Sequence, residues 1–325
     1  MNSIEHIREA CATDLRRLNA RIHDCLRSSS EMMTSIVEDN LRTKGKQIRP
    51  LVLILCAKLL NEEITEKVID AATAVELLHN ASLIHDDIVD DSMVRRGRPT
   101  VNATWDNHVA VLVGDFYTTA AMHRAIDTGE LKIVETLCSL GRKLSLGEIE
   151  QLFFAREHSY SEDNYFKVVD YKTSSLFVAS ARMACQATGA SEEDTARLAE
   201  FALLFGRCFQ LRDDVFDFYP SEQVGKPTGN DLREGKVSLP LIYALSKATA
   251  EKSEAAKKLL NQECLTDSEI AELQDFARAN GGVEYAYTVM VNLRNQAARL
   301  LEIYPQSDAR EMLLELFDFV IARTY

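Results

Sequence analysis

The chain has 325 residues, of which 13 are glycine and 6 proline, about 4% and 2% against roughly 7% and 5% in average usage. So few turn formers exclude a many-stranded β architecture, which needs a turn about every 8–12 residues, and 46% hydrophobic residues exclude a disordered chain. Lys and Arg total 37 against 50 Asp and Glu, a net charge of −13, which argues against a general nucleic-acid binder, because phosphate neutralisation needs a basic surface. An anionic small substrate remains compatible if basic groups or metal ions reverse the field locally. The longest apolar run, 51–57, has seven residues, whereas a membrane span needs about 20. The opening MNSIEHIREACATDLRR is charged throughout, without a signal h-region. The seven cysteines are scattered, with no C-x-x-C pair. Reduced thiols in a cytoplasmic protein are expected.

Helical periodicity dominates, and the pattern predicts one all-α domain over 1–325. Residues 2–25 place Ile4, Ile7, Cys11, Leu15, Leu18 and Ile22 at helical spacing. Ser30 is placed to cap a second helix. Lys44 to Lys46 break the pattern, and Arg49-Pro50 leads into LVLILCAKLL, apolar nearly all round and therefore expected to be buried. One long helix is predicted over 64–91 and a loop over 94–102, VRRGRPTVN, from its Gly and Pro. Further helices are predicted over 105–127, 130–156, 162–188, 192–219, 236–248, 251–263, 267–280, 283–303 and 307–323. No alternating strand is evident.

Two acidic clusters stand out. His85-Asp86-Asp87-Ile88-Val89-Asp90-Asp91 and Arg212-Asp213-Asp214-Val215-Phe216-Asp217 both contain D-D-x-x-D. On a helix the first and last aspartates are i and i+4 and share a face. Like charges so placed destabilise by a few tenths of a kcal/mol when exposed, and aspartate is a mediocre helix former. Such clusters call for a cation. Hard oxygen ligands with room for phosphate and water suit Mg²⁺. Basic groups accompany them: Lys46 and Arg49 in KGKQIRP, Arg95, Arg96 and Arg98 just after the first cluster, Lys172 in DYKTSS, and Lys226 and Lys236 after the second. Each alone reads as an ordinary surface cation. Carboxylates interleaved with Arg and Lys make sense together if the ligand is a metal–diphosphate.

The motifs GKQIRP (45–50), LLHNASLIHDDIVDDSMVRRGRPTVN (77–102), GD (114–115), KT (172–173), FQLRDDVFD (209–217) and GKPTGNDLREGKVSLPLI (225–242) together resemble the trans-isoprenyl diphosphate synthase family. The resemblance implies an all-α isoprenoid-synthase-type bundle around a central cavity, usually homodimeric. It implies repeated condensation of isopentenyl diphosphate onto an allylic diphosphate. By the family's pattern Asp86 and Asp90 bind two Mg²⁺ ions and Asp213 a third, with Asp87, Asp214 and Asp217 as further ligands or supports. Lys46, Arg49, His79 and Arg96 correspond to the isopentenyl diphosphate site. Arg95, Lys172, Thr173, Gln210 and Lys226 correspond to the allylic site, with Lys236 nearby. Independently, His79 is seven residues before Asp86 and shares its helix face. The resemblance departs at Lys44, where the family often has a second glycine.

The resemblance also implies that side chains below Asp86 set product length. Ala81 and Ser82 are small there, and Ser82 lies within about 40° of Asp86 on the wheel. A bulky residue there blocks the tunnel about one helical turn, roughly 5.4 Å, below the metals. Its absence predicts a long product of about six to ten isoprene units, eight as the expectation, typical of quinone side chains; Met122, His123, Phe153 and Phe154 on following helices are candidate deeper stops and equally good ordinary core residues. The alternatives are a shorter-chain (farnesyl or geranylgeranyl) synthase, a terpenoid cyclase and a non-catalytic partner subunit. A cyclase would not need Lys46, Arg49, His79 and Arg96, and a partner subunit commonly loses aspartates or bases. Membrane contact is expected to be at most transient, for product release.

Overall fold

The computed structural model describes residues 3–42, 45–61, 63–219, 228–262 and 264–323. Apart from loops and one short hairpin, the described residues are helical. They divide into two compact units, Met1–Arg142, Leu176–Ala202 and Tyr304–Leu313 in the first, and Lys143–Ser175, Leu203–Ile303 and Leu314–Tyr325 in the second.

In the first unit, α1 (Ser3–Ala10) and α2 (Ala12–Cys25) replace the single segment predicted over 2–25. The break is slight, because Cys11 N still donates to Ile7 O (3.0 Å) and Leu15 N to Cys11 O (2.9 Å). Ser30 caps α3 (Glu31–Arg42), its hydroxyl accepting from Met33 N at 3.3 Å. In α4 (Ile48–Leu60) every residue from Leu51 to Ala57 is fully buried, as its all-round apolar sequence requires. The long α5 (Glu66–Val89) starts at Thr65, whose hydroxyl accepts from Val68 N, and packs against α2, α4 and α7 (Asn107–Asp127). Between α5 and α7 the predicted loop is a hairpin of β1 (Val94–Arg95) and β2 (Arg98–Pro99), followed by the short α6 (Val101–Thr104). Its two turn residues, Arg96 (φ 53°) and Gly97 (φ 74°), are both left-handed, which matches the twist of a two-residue hairpin. Glycine adopts that conformation freely and arginine does not, so the sequence signalled only half of this turn.

The helix α8 (Leu131–Arg156) runs from the first unit's residues into the second's. Further along the chain the single helix predicted over 162–188 is interrupted. There α9 (Glu162–Val169) passes into a π-helical turn, Asp170–Ser174, before α10 (Ser175–Thr188) resumes. Next come α11 (Glu192–Phe216), α12 (Asn230–Arg233), α13 (Leu239–Lys247), α14 (Ala250–Leu260), α15 (Asp267–Ala279), α16 (Gly282–Leu301) and α17 (Asp308–Ala322). Within the second unit α13 packs on α15 and α16. Among the described residues no helix is long and apolar enough to cross a membrane.

Candidate active site

In the first unit the predicted aspartates lie at the C-terminal end of α5. Asp86 and Asp87 lie in the last turn and Asp90 is the cap residue, its N–H donating to Asp86 O at 2.8 Å. Carboxylates there meet the negative end of the helix dipole as well as one another. The hairpin turns the chain back, and Arg95 Nε donates to Asp87 Oδ1 at 2.7 Å. Asp87 is buried, which raises its pKa against the pull of Arg95. Asn102 on α6 donates to the carbonyls of Ser92 (3.1 Å) and Asp87 (3.4 Å), tying α6 to the end of α5 across the base of the hairpin. A cleft of about 470 Å³ is lined by Asn80, Asp87, Arg95, Arg96 and Arg98.

Arg96 also lies against the GKQIRP segment. A Cβ on Gly45 would sit 2.6 Å from Arg96 Nη2, so only glycine lets the guanidinium approach this closely. Lys46 is exposed and Arg49 half-buried, with the Arg49 guanidinium 5.1 Å from the Phe177 ring centroid. His79 is buried, and its Nδ1 has no hydrogen-bond partner among the described residues. Burial, then the charges of Arg49, Arg96 and Arg95, hold its imidazole well below its ordinary pKa, so it is neutral near pH 7. Glu76, one turn before His79, is buried near Arg49 and Arg96, and burial raises its pKa against their pull. No motif marks Glu76, although an acid inside an apolar helix is a signal.

On α5, Ser82 is half-buried on the Asp86 face, its hydroxyl donating to His79 O at 2.9 Å. Ala81 is buried at 1% exposure. Of the deeper candidates, Met122 and Phe153 are exposed and His123 has a side chain 77% accessible. They are not core side chains of their units. Phe154 lines a cavity in the second unit.

That cavity, about 230 Å³, is lined by Lys172, Thr173, Gln210, Asp214, Asp231 and Lys236 among others. Lys172 Nζ pairs with Glu148 Oε1 at 2.6 Å. Thr173 Oγ1 donates to Gln210 Oε1 (2.6 Å), Gln210 Nε2 donates to Asp214 Oδ1 (2.7 Å), and Tyr165 OH donates to Asp214 Oδ2 (2.5 Å). Both oxygens of Asp214 are thus engaged, and burial pushes its pKa up to about 7. Asp217 Oδ2 accepts from Asp231 N at 2.8 Å. Burial, then the charges of Asp217 and Asp214, raises the Asp231 pKa well above its ordinary value. Asp213 is the more accessible member of the adjacent pair, and Arg323 Nη2 donates to its Oδ1 at 2.9 Å. Lys236 pairs with Glu234. Lys226 lies outside the described residues, as does Lys44.

Each unit therefore holds one aspartate motif, beside Arg95 in the first and beside Lys172 and Lys236 in the second. Glu148, Tyr165, Asp231 and Arg323 join these sets without having been singled out. Asp231 sits inside GNDLREGK, where its neighbourhood was a clue, but nothing local marked Tyr165 or Arg323. Oxygen-only donors, at the negative end of a helix in the first unit, fit a hard divalent cation. Among the described residues no three His, Cys, Asp or Glu side chains form a metal-holding group. Mg²⁺ typically takes one or two carboxylates and completes its shell with water and substrate phosphate.

The sequence profile of the polyprenyl synthetase family matches residues 30–276, about three quarters of the chain. The octaprenyl diphosphate synthase of Haemophilus influenzae is 33% identical over 324 residues, covering 99% of this chain and 98% of its own. A polyprenyl synthase from Caulobacter crescentus, solved with calcium and isoprenyl diphosphate, superposes with a TM-score of 0.92 at 28% identity over 99% of this chain and 98% of that one. The geranylgeranyl pyrophosphate synthase of Bacteroides thetaiotaomicron superposes with a TM-score of 0.86 at 33% identity, over 99% of this chain and 100% of that one. Relatives of equal identity are thus named for products of different length, which makes length a matter for this chain's own side chains. By the profile, and by identity over nearly its whole length, the chain belongs to the polyprenyl synthetase family.

Proposed function

We infer that the chain is a long-chain trans-polyprenyl diphosphate synthase, extending an allylic diphosphate by repeated 1′-4 condensation with isopentenyl diphosphate. The carrying observation is the end of α5, where Asp86, Asp87 and Asp90 crowd the negative helix terminus while the hairpin returns Arg95 to Asp87. Acids and bases held together in this way suit a ligand that is itself a metal–diphosphate.

Asp86 and Asp90 would hold two Mg²⁺ ions and Asp213 a third. Bound there, they would neutralise charge developing on the departing diphosphate. Asp87, Asp214 and Asp217 support these ligands. With both oxygens already bonded, Asp214 acts by fixing Gln210 and hence Thr173. Arg95, Lys172, Thr173, Gln210, Lys226 and Lys236 take the allylic diphosphate. Lys46, Arg49, Arg96 and the neutral His79 take isopentenyl diphosphate, whose double bond attacks the allylic cation. The released diphosphate accepts the proton, so no protein nucleophile is required.

Ser82 and Ala81 themselves carry no aromatic ring below Asp86, which supports a long product, eight units as in the named Haemophilus relative. The whole chain acts as one catalytic domain, a reading supported by a family profile that spans residues of both units. It acts as a homodimer. Val111, Leu112, Met122 and Ile126 are exposed on one face of α7, on either side of Asp115 and Thr119, and a second copy would cover them. The seven free cysteines fit a cytoplasmic setting.

The test is incubation of the purified chain with labelled isopentenyl diphosphate and several allylic primers, with and without EDTA, followed by chromatography. Metal-dependent long products are expected. Incorporation in excess EDTA, or products ending at three or four units, overturns the metal or the length assignment respectively.

A further inference from the structure

The π-helical turn Asp170–Ser174 carries both Lys172 and Thr173. A π turn bonds i to i+5, is rare, and appears mostly as single turns inside α-helices, often at functional sites. Its local hydrogen bonds do not favour it over a continued α-helix, so neighbouring structure must hold it. Here α11 grips it at three points along one face. Arg207 makes a bidentate pair with Asp170, Nε to Oδ1 at 2.7 Å and Nη2 to Oδ2 at 2.6 Å. Gln210 accepts from Thr173. Gly206 meets Ser174 so closely that a Cβ there would lie 2.5 Å from Ser174 Cα. From α8, a Cβ on Gly147 would lie 2.9 Å from Lys172 N, and the adjacent Glu148 pairs with Lys172. Just past the turn, the Ser175 hydroxyl donates back to Tyr171 O at 2.5 Å.

We propose that Arg207 and Asp170, with Gly147 and Gly206, are positioning residues that impose the π turn and so aim Lys172 and Thr173 at the allylic diphosphate. The assignment rests on the role given above to Lys172. Asp170 and Arg207 line a separate surface groove with Asp163, Phe166, Lys167 and Tyr171, not the cavity that Lys172 lines, so their effect must pass through the turn. Without the clamp the segment relaxes toward α-helical register, which rotates Lys172 and Thr173 relative to Gln210. Misplacement by about 1 Å can cost roughly 100-fold in rate.

The test uses the full chain carrying Asp170→Asn, Arg207→Gln, the reciprocal pair Asp170→Arg with Arg207→Asp, and Gly206→Ala. Amide hydrogen exchange at 172–176 is read without substrate, and kinetics are read for each substrate separately. For the two single charge variants, exchange should quicken about tenfold. Their kcat/KM for the allylic substrate should fall about 10- to 100-fold, while KM for isopentenyl diphosphate stays within about twofold. The reciprocal pair should restore most of both losses. Gly206→Ala, if folded, should match or exceed the single variants.

Unchanged exchange in both charge variants overturns the proposal, as does a parallel fall in every kinetic parameter with no rescue by the pair. Lys172→Ala serves as the control. If it leaves allylic kinetics intact, the role of Lys172 fails, and the exchange data still decide whether the clamp holds the turn. If it impairs allylic use while Asp170→Asn and Arg207→Gln behave as wild type, the clamp fails and the role of Lys172 stands.

Discussion

Ser82→Phe and Ala81→Phe should behave differently, although the two positions are neighbours. Ser82 is half-buried on the face of α5 that carries Asp86, and four residues of helix put it about 6 Å along the axis from that aspartate. A phenyl ring there projects toward the growing chain. It forfeits the hydroxyl's hydrogen bond to His79 O, worth about 1 kcal/mol. Ala81, at 1% exposure, has no open volume for a ring, and overpacking should cost about 1–3 kcal/mol. With about 2.1 cal/mol/K of unfolding entropy per residue, 325 residues give roughly 0.7 kcal/mol/K, so that cost lowers the melting midpoint by about 1.5–4.5 °C. The assay pairs scanning calorimetry with product chromatography on wild type and both variants. Ser82→Phe should keep its midpoint within about 2 °C and shorten the product to about two to four units, since the metal ligands and bases are untouched. Ala81→Phe should chiefly lose stability. A folded Ser82→Phe enzyme with wild-type products refutes the reasoning.

Asp86→Ala or Asp213→Ala should lower turnover by at least about 10²–10³ with unchanged circular dichroism; near-normal turnover would remove that carboxylate from the metal set. Lys46→Ala and Arg96→Ala should chiefly raise KM for isopentenyl diphosphate, and Lys172→Ala should chiefly impair the allylic substrate. Removing one charged hydrogen bond to a diphosphate should cost roughly 1.5–3 kcal/mol, about 10- to 100-fold, and one shared kinetic pattern would sink the two-site assignment. The pH dependence of metal-free stability tests the Asp214 environment. Its pKa rises from an ordinary value near 4 to about 7 on folding, so the folded chain binds the extra proton between those values. Its contribution is fully present below about 4 and is lost as pH rises through about 7. The wild-type midpoint should therefore fall more steeply from pH 5 to pH 7.5 than that of Asp214→Asn, and equal slopes would contradict the burial argument.

Local chemistry alone determined most of the helices. A 3.6-residue apolar period over a chain poor in Gly and Pro leaves few other states, so predicted segments such as 267–280 and 283–303 match α15 and α16 to within two residues. Both aspartate motifs were legible for a similar reason, since i, i+4 spacing is a property of the sequence itself. The hairpin at 94–99 was not, because Arg96 takes a left-handed turn position that no residue preference announces. Nor was the π turn. Its register is set by Gly147, Gly206 and Arg207 on other helices, while the local pattern reads as uninterrupted helix. The partners of the site residues were decided by the tertiary fold. Tyr165 meets Asp214 across 49 residues and Arg323 meets Asp213 across 110. Periodicity records which face a side chain occupies, but only packing over such separations decides which group it meets, and that choice buries Asp214 with its donors while leaving Asp213 accessible beside Arg323.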